Sequence, residues 1–224
     1  MPSNSARFER WTWIRSPLFL FSVASFGILS AIVALGATSS FDEGTSTMIK
    51  LLHDNSAMNM VMVSLSFLGD TSSLLFLAIV LTIIRRTRRV GMIYLCSILI
   101  VVVLAMHIKI VVGRELPPSF VTSFQDRSQN QDIEPEAVPH SAKNLSFPST
   151  HMAIAVCLAY LVRARLGTRN RILASGIWFY PILMALSRLY VLQYYVTDIA
   201  GGFLLGLIIA ISMSNIIQVE TSSR

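Results

Sequence analysis

Charge is what this chain has least of. Only 13% of its 224 residues are charged, against about 25% in a typical soluble domain. Hydrophobic residues make up 54% and mean hydropathy is +0.63, which excludes an ordinary water-soluble domain and points to a membrane protein. The net charge of +6 and pI near 9.7 do not mark a nucleic-acid binder. The basic residues stand in short clusters between apolar runs, not over a soluble face. Cysteine is scarce too. Cys96 and Cys157 lie inside apolar runs with no metal-ligand spacing, and read as small buried hydrophobes. No internal repeat and no soluble second domain is visible. The first apolar run lacks a convincing small-residue cleavage site, so it reads as a retained span rather than a signal peptide.

What the chain does have is apolar runs of membrane-crossing length, about twenty residues each. They predict an all-α fold, a bundle of six transmembrane helices at Pro17 to Ala37, Ser72 to Ile84 with its flanks, Val90 to Val112, Ser149 to Val162, Ile172 to Val191 and Val196 to Ile217. The mixed stretch from Ser39 to Asp70 carries Met58, Met62, Leu65 and Leu68 at helical spacing, which predicts an amphipathic helix at the interface. A long polar loop, Gly113 to Phe147, separates the third and fourth spans. The domain plan is then a cytoplasmic segment 1–16, one transmembrane domain 17–217 and a cytoplasmic tail 218–224. Arg7, Arg10 and Arg15, then Arg85, Arg86, Arg88 and Arg89, then Arg163, Arg165, Arg169 and Arg171 fall on alternate loops. The positive-inside rule makes that side cytoplasmic, with both termini there.

The remaining polar residues gather at the opposite ends of the spans. Phe147-Pro148-Ser149-Thr150-His151 opens the fourth. Ser149 is a good N-cap, and the first turn of a helix offers free N–H groups and partial positive charge, a cradle for phosphate. His151 in that turn is placed to protonate a leaving oxygen. A lone histidine at a helix start is more often structural, and a lone Lys109 at the end of the third span snorkels to headgroups. Together with Ser187 and Arg188 ending the fifth span and Asp198 opening the sixth, they describe an oxyanion site on the extracytoplasmic face, with phosphate as the anion.

These residues carry a resemblance to the type 2 phosphatidic acid phosphatase/haloperoxidase superfamily, in its integral membrane lipid-phosphate phosphatase branch. That family's signature is Lys, six residues, Arg-Pro; then Pro-Ser-Gly-His; then Ser-Arg, five residues, His, three residues, Asp. Here stand Lys109, six residues and Leu116-Pro117; Pro148-Ser149-Thr150-His151; and Ser187-Arg188, five residues, Tyr194, three residues and Asp198. The likeness covers roughly residues 40–217 and includes Gly113-Arg114 and Leu68-Gly69-Asp70. It implies a phosphoryl-histidine mechanism without metal or cofactor, on a lipid phosphate or diphosphate at the extracytoplasmic face. Carried over, His151 matches the acid/base, Asp198 the residue that orients the nucleophile, and Lys109, Ser149, the Thr150 amide and Arg188 the phosphate ligands.

Three positions depart from the pattern. Thr150 for glycine is mild, since the backbone N–H remains; the sphingoid-base-phosphate phosphatase branch also has Pro-Ser-Thr-His. Leu116 removes a bidentate phosphate donor, with Arg114 two residues away as a doubtful substitute. Tyr194 replaces the nucleophilic histidine, and a phenol with a pKa near 10 is mostly protonated at neutral pH. His53, His107 and His140 do not fit the vacant place. Two readings therefore stand: a phosphatase with altered chemistry through Tyr194, and a catalytically silent protein that binds a lipid phosphate or a partner protein. The residue chemistry alone leans to the second. A transporter or channel is weaker, because charges at the membrane midplane are missing. Membrane lipids are expected partners and nucleic acid is not. Gly201, Gly202 and Gly206 suit close helix packing, within one chain or in a homo-oligomer. Asn144-Leu145-Ser146 is a glycosylation sequon on the loop.

Overall fold

The computed structural model describes residues 16–51, 56–117, 145–166 and 171–222. The clusters at 7–15, most of the 113–147 loop, His53, His140, Asn144 and Arg169 lie outside the described residues. Those described form helices α1 (Pro17–Ala34), α2 (Ser39–Lys50), α3 (Ser56–Leu68), α4 (Thr71–Ile83), α5 (Arg88–Val112), α6 (Thr150–Leu166), α7 (Arg171–Gly176), α8 (Phe179–Tyr190) and α9 (Val196–Ser222). Among the described residues the only extended pairing is one isolated antiparallel bridge, Glu115 with Leu145.

Four segments are long and apolar enough to cross a membrane: α1, α5, α7 with α8, and α9 up to Asn215. A fifth arises if α3 and α4, bent by 48° at their junction, count as one span. The helix of the expected fourth span, α6, is shorter, and its setting explains why. From Met152 to Ala159 every residue is buried, because α4, α5, α8 and α9 surround it. A helix enclosed by protein does not have to present a long apolar surface to lipid. α1 is the opposite, with only Ser22 and Val33 buried. The helix expected at the interface, α3, lies against α8, where Ser187 Oγ donates to the Met62 carbonyl at 2.8 Å and Tyr190 to the Asn59 side-chain oxygen. Cys157 is buried, but Cys96 faces outward from α5, contrary to its reading as buried.

Small residues set the closest helix pair. A Cβ on Gly206 would press into the Ala153 backbone, and one on Gly202 into the Ser149 carbonyl oxygen. In lipid, where apolar association gains little, such backbone approach is what holds helices together. A Cβ on Gly201 would meet the ring of Phe147, itself fully buried and stacked on Phe26 of α1 with ring centroids 6.2 Å apart. Phe147 thus anchors the segment that leads into α6.

Candidate functional site

The start of α6, the end of α5, the α3–α4 junction and the α8–α9 turn meet at one end of the bundle. Ser149 N–H donates to the Asp198 carbonyl at 3.0 Å. Its hydroxyl oxygen accepts from the Met152 N–H at 3.4 Å, the N-cap bond expected from sequence. The Lys109 ammonium reaches back to the carbonyl of Leu145 and, at 3.5 Å, to that of Ser146. It lies 5.5 Å from the centre of the Tyr194 ring. The chain reverses between α8 and α9 in five residues, with Leu192 in the left-handed region at φ 57°. That turn brings Tyr194 back under α6.

Tyr194 Oη lies 3.1 Å from His151 Nδ1. The other ring nitrogen, Nε2, is 3.4 Å from Asp70 Oδ1. Arg188 approaches the same carboxylate oxygen at 3.8 Å, donates to the Ser66 carbonyl at 3.0 Å and to the Gln193 side-chain oxygen, and its Nε–H has no acceptor among the described residues. Burial, with the carboxylates of Asp198 and Asp70 beside it, pushes the Tyr194 phenol up to about 12, although Arg188 acts the other way. Low-dielectric surroundings disfavour the phenolate.

A second polar cluster stands next to the first. Arg114 donates to Asp198 Oδ1 at 3.0 Å, to Thr197 Oγ1 at 2.6 Å and to Asp42 Oδ2 at 2.6 Å. Its guanidinium lies 4.2 Å above the Tyr195 ring. Asp198 Oδ2 accepts the Tyr195 N–H at 2.9 Å, and Asp42 accepts both the N–H and the hydroxyl of Thr197, at 3.3 and 2.6 Å. Arg114 thus bridges the carboxylates of Asp42 and Asp198. Asp198, matched to a nucleophile orienter by resemblance, directs its oxygens to Arg114 and Tyr195. His107 is outward-facing, its ring on the Val103 carbonyl at 2.7 Å.

Sequence reasoning assembled Lys109, Ser149, His151, Arg188, Tyr194 and Asp198, and the structure places them together. It did not single out Asp42, Asp70, Gln193 or Thr197. Asp70 had a usable signal, an acid at the head of an apolar helix, where an ionised group is costly without a partner; Asp42 had none, since its helix Ser39–Lys50 is polar. No metal-ligating group of three or more His, Cys, Asp or Glu occurs among the described residues.

The PAP2 superfamily profile matches residues 90–222. Among solved structures, the chain resembles the crystal structure described as the first transmembrane PAP2-type phosphatidylglycerolphosphate phosphatase, from Bacillus subtilis. The TM-score is 0.70 at 24% identity, covering 89% of this chain and 96% of that one. At that identity the likeness establishes the fold. No curated protein matches.

Proposed function

The chain belongs to the PAP2 superfamily and is an integral membrane protein; on that premise we propose that it hydrolyses the phosphate ester of a membrane lipid, with Tyr194 as nucleophile and His151 as base and acid. The observation that carries this is the 3.1 Å separation of Tyr194 Oη and His151 Nδ1. A weak nucleophile within hydrogen-bond reach of a base is the arrangement that activates hydroxyl groups elsewhere. The lipid phosphate would lie against the first turn of α6, with the Thr150 amide, Ser149, Lys109 and Arg188 around its oxygens. The alternation of the Arg clusters supports an extracytoplasmic setting for this end of the bundle.

The steps balance without a cofactor. As the Tyr194 oxygen bonds to phosphorus, its proton passes to His151 Nδ1. The bond from phosphorus to the lipid oxygen breaks, and that oxygen takes the proton from His151. Water then attacks the phosphotyrosine, giving a proton to Nδ1 while its oxygen bonds to phosphorus. The phosphorus–Tyr194 bond breaks and the tyrosine oxygen recovers the proton, leaving inorganic phosphate. General acid–base transfer of this kind contributes about 10²–10⁴ in rate.

One observation favours the second reading, a silent binder of lipid phosphate: the buried Tyr194 phenol is pushed up to about 12, so it holds its proton firmly. The test is phosphate release by purified protein from a panel of lipid phosphates and diphosphates. The hydrolase reading expects release by wild type that disappears in Tyr194→Phe and in His151→Ala, with a tyrosine-linked phosphate trapped on rapid acid quench. No release by wild type, together with activity gained in Tyr194→His combined with Leu116→Arg, overturns it in favour of a silenced scaffold.

A further inference from the structure

We infer that Asp70 is the positioning residue of this site: its carboxylate keeps the His151 proton on Nε2, leaving Nδ1 as the atom that accepts the Tyr194 proton. The inference deepens the hydrolase reading and, for its catalytic consequence, rests on it.

Asp70 is well fixed for the task. It is the N-cap of α4, where Oδ2 accepts the Ser72 N–H at 3.3 Å and the Ser72 hydroxyl at 2.7 Å. That leaves Oδ1 aimed away from the helix, 3.4 Å from His151 Nε2 and 3.8 Å from Arg188. The preceding Gly69 is buried, and a Cβ there would collide with Met184 of α8. The α3–α4 junction therefore packs directly on the Met184 side chain of α8, one turn before Arg188. An ionised carboxylate accepts hydrogen bonds and donates none. Nε2 facing it must therefore carry the proton, so in the neutral ring Nδ1 has the free lone pair. A neutral Tyr194 then donates its O–H to Nδ1. The reverse tautomer would set the Nε2 lone pair against a carboxylate.

The experiment is nitrogen NMR of the imidazole in the full-length protein in detergent, with His151→Gln assigning the signal. Wild type is expected to be Nε2-protonated at neutral pH. Asn is as good an N-cap as Asp, so Asp70→Asn keeps its amide oxygen on the Ser72 N–H and turns its NH₂ toward His151. The ring is then expected to switch to Nδ1-protonated. In turnover, Asp70→Asn is expected to lower kcat by about 10²–10⁴ with KM nearly unchanged, as wrong-tautomer variants do. Should Asp70→Asn fail to fold, Asp70→Ser retains the cap, loses the carboxylate and is expected to show a mixed tautomer. A Nδ1-protonated ring in wild type, or an unchanged ring in Asp70→Asn, overturns the inference. The NMR result needs no turnover, so absent phosphate release would count against the hydrolase reading alone.

Discussion

Two polar clusters lie side by side in this site, one of two acids, a guanidinium and a hydroxyl, the other of one acid, an imidazole and a phenol, and they are arranged differently. In the Arg114 cluster both carboxylates, Asp42 and Asp198, have no exposed surface, and the guanidinium holds them together. Every oxygen has a fixed donor. In the His151 cluster the carboxylate of Asp70 is 46% exposed, and the imidazole links it to one hydroxyl at 3.1–3.4 Å. Fully satisfied buried networks rigidify and specify a fold. Looser, partly open sets with a movable proton are where chemistry happens. The comparison separates two settings for a carboxylate: Asp198 is buried with both oxygens on fixed donors, whereas Asp70 is half-open and shares its free oxygen with the imidazole.

The sharpest way to break that contrast is to remove Arg114. Arg114→Met leaves two buried carboxylates without their counter-charge, and losing one partner of a buried pair costs about 3–5 kcal/mol. The expected outcome is a large fall in thermal unfolding temperature in detergent, or no folded protein. His151→Gln, removing the centre of the other cluster, is expected to change stability by only about 1 kcal/mol while abolishing phosphate release. Equal stability losses in the two variants would erase the distinction.

A smaller effect tests the wall behind both clusters. A Cβ on Gly202 meets the Ser149 carbonyl oxygen and the Met152 Cβ, and neither can rotate away. Gly202→Ala must push α9 from α6, with an overpacking cost of about 1–3 kcal/mol. Asp198 sits one turn earlier on α9 and binds the Ser149 N–H through its carbonyl. Phosphate release is therefore expected to fall alongside stability, checked by measuring both on the same preparation. Gly27 of α1 has nothing near its Cβ position, and Gly27→Ala serves as the unaffected control.

The apolar helices and the three motifs could be read from the chain because both are local signals: hydropathy over a window, and side chains at fixed spacing. What escaped was pairing at a distance. Arg114 meets Asp42 across 72 positions and His151 meets Asp70 across 81, and no periodicity reports such contacts. The likeness of Gly113-Arg114 to the family's flank pointed to Arg114, but not to its ion pairs with Asp42 and Asp198. α6 shows the same limit in another form. It was read as one more span from its apolar run, and nothing in that run shows that its neighbours relieve it of facing lipid.

The smallest effect separates the two clusters by pH. Tyr194 ionises near 10 in an unfolded chain and at about 12 in this setting. A raised phenol pKa means the folded state keeps a proton that the unfolded state has lost once pH exceeds 10, so stability falls as pH rises between those values. Below pH 10 both states hold the proton and the contribution is fully present. Tyr194→Phe has no proton to lose, and its stability should decline less across that window. Tyr195, stacked on Arg114 in the other cluster, is also shifted upward, by burial first and with Arg114 opposing, but it is less enclosed. Tyr195→Phe is therefore expected to flatten the alkaline decline less than Tyr194→Phe does. Chemical denaturation at pH 9 and pH 11.5 on wild type and both variants measures the difference. An equal flattening would mean that the two hydroxyls share one environment, and that the His151 and Arg114 clusters are not electrostatically distinct.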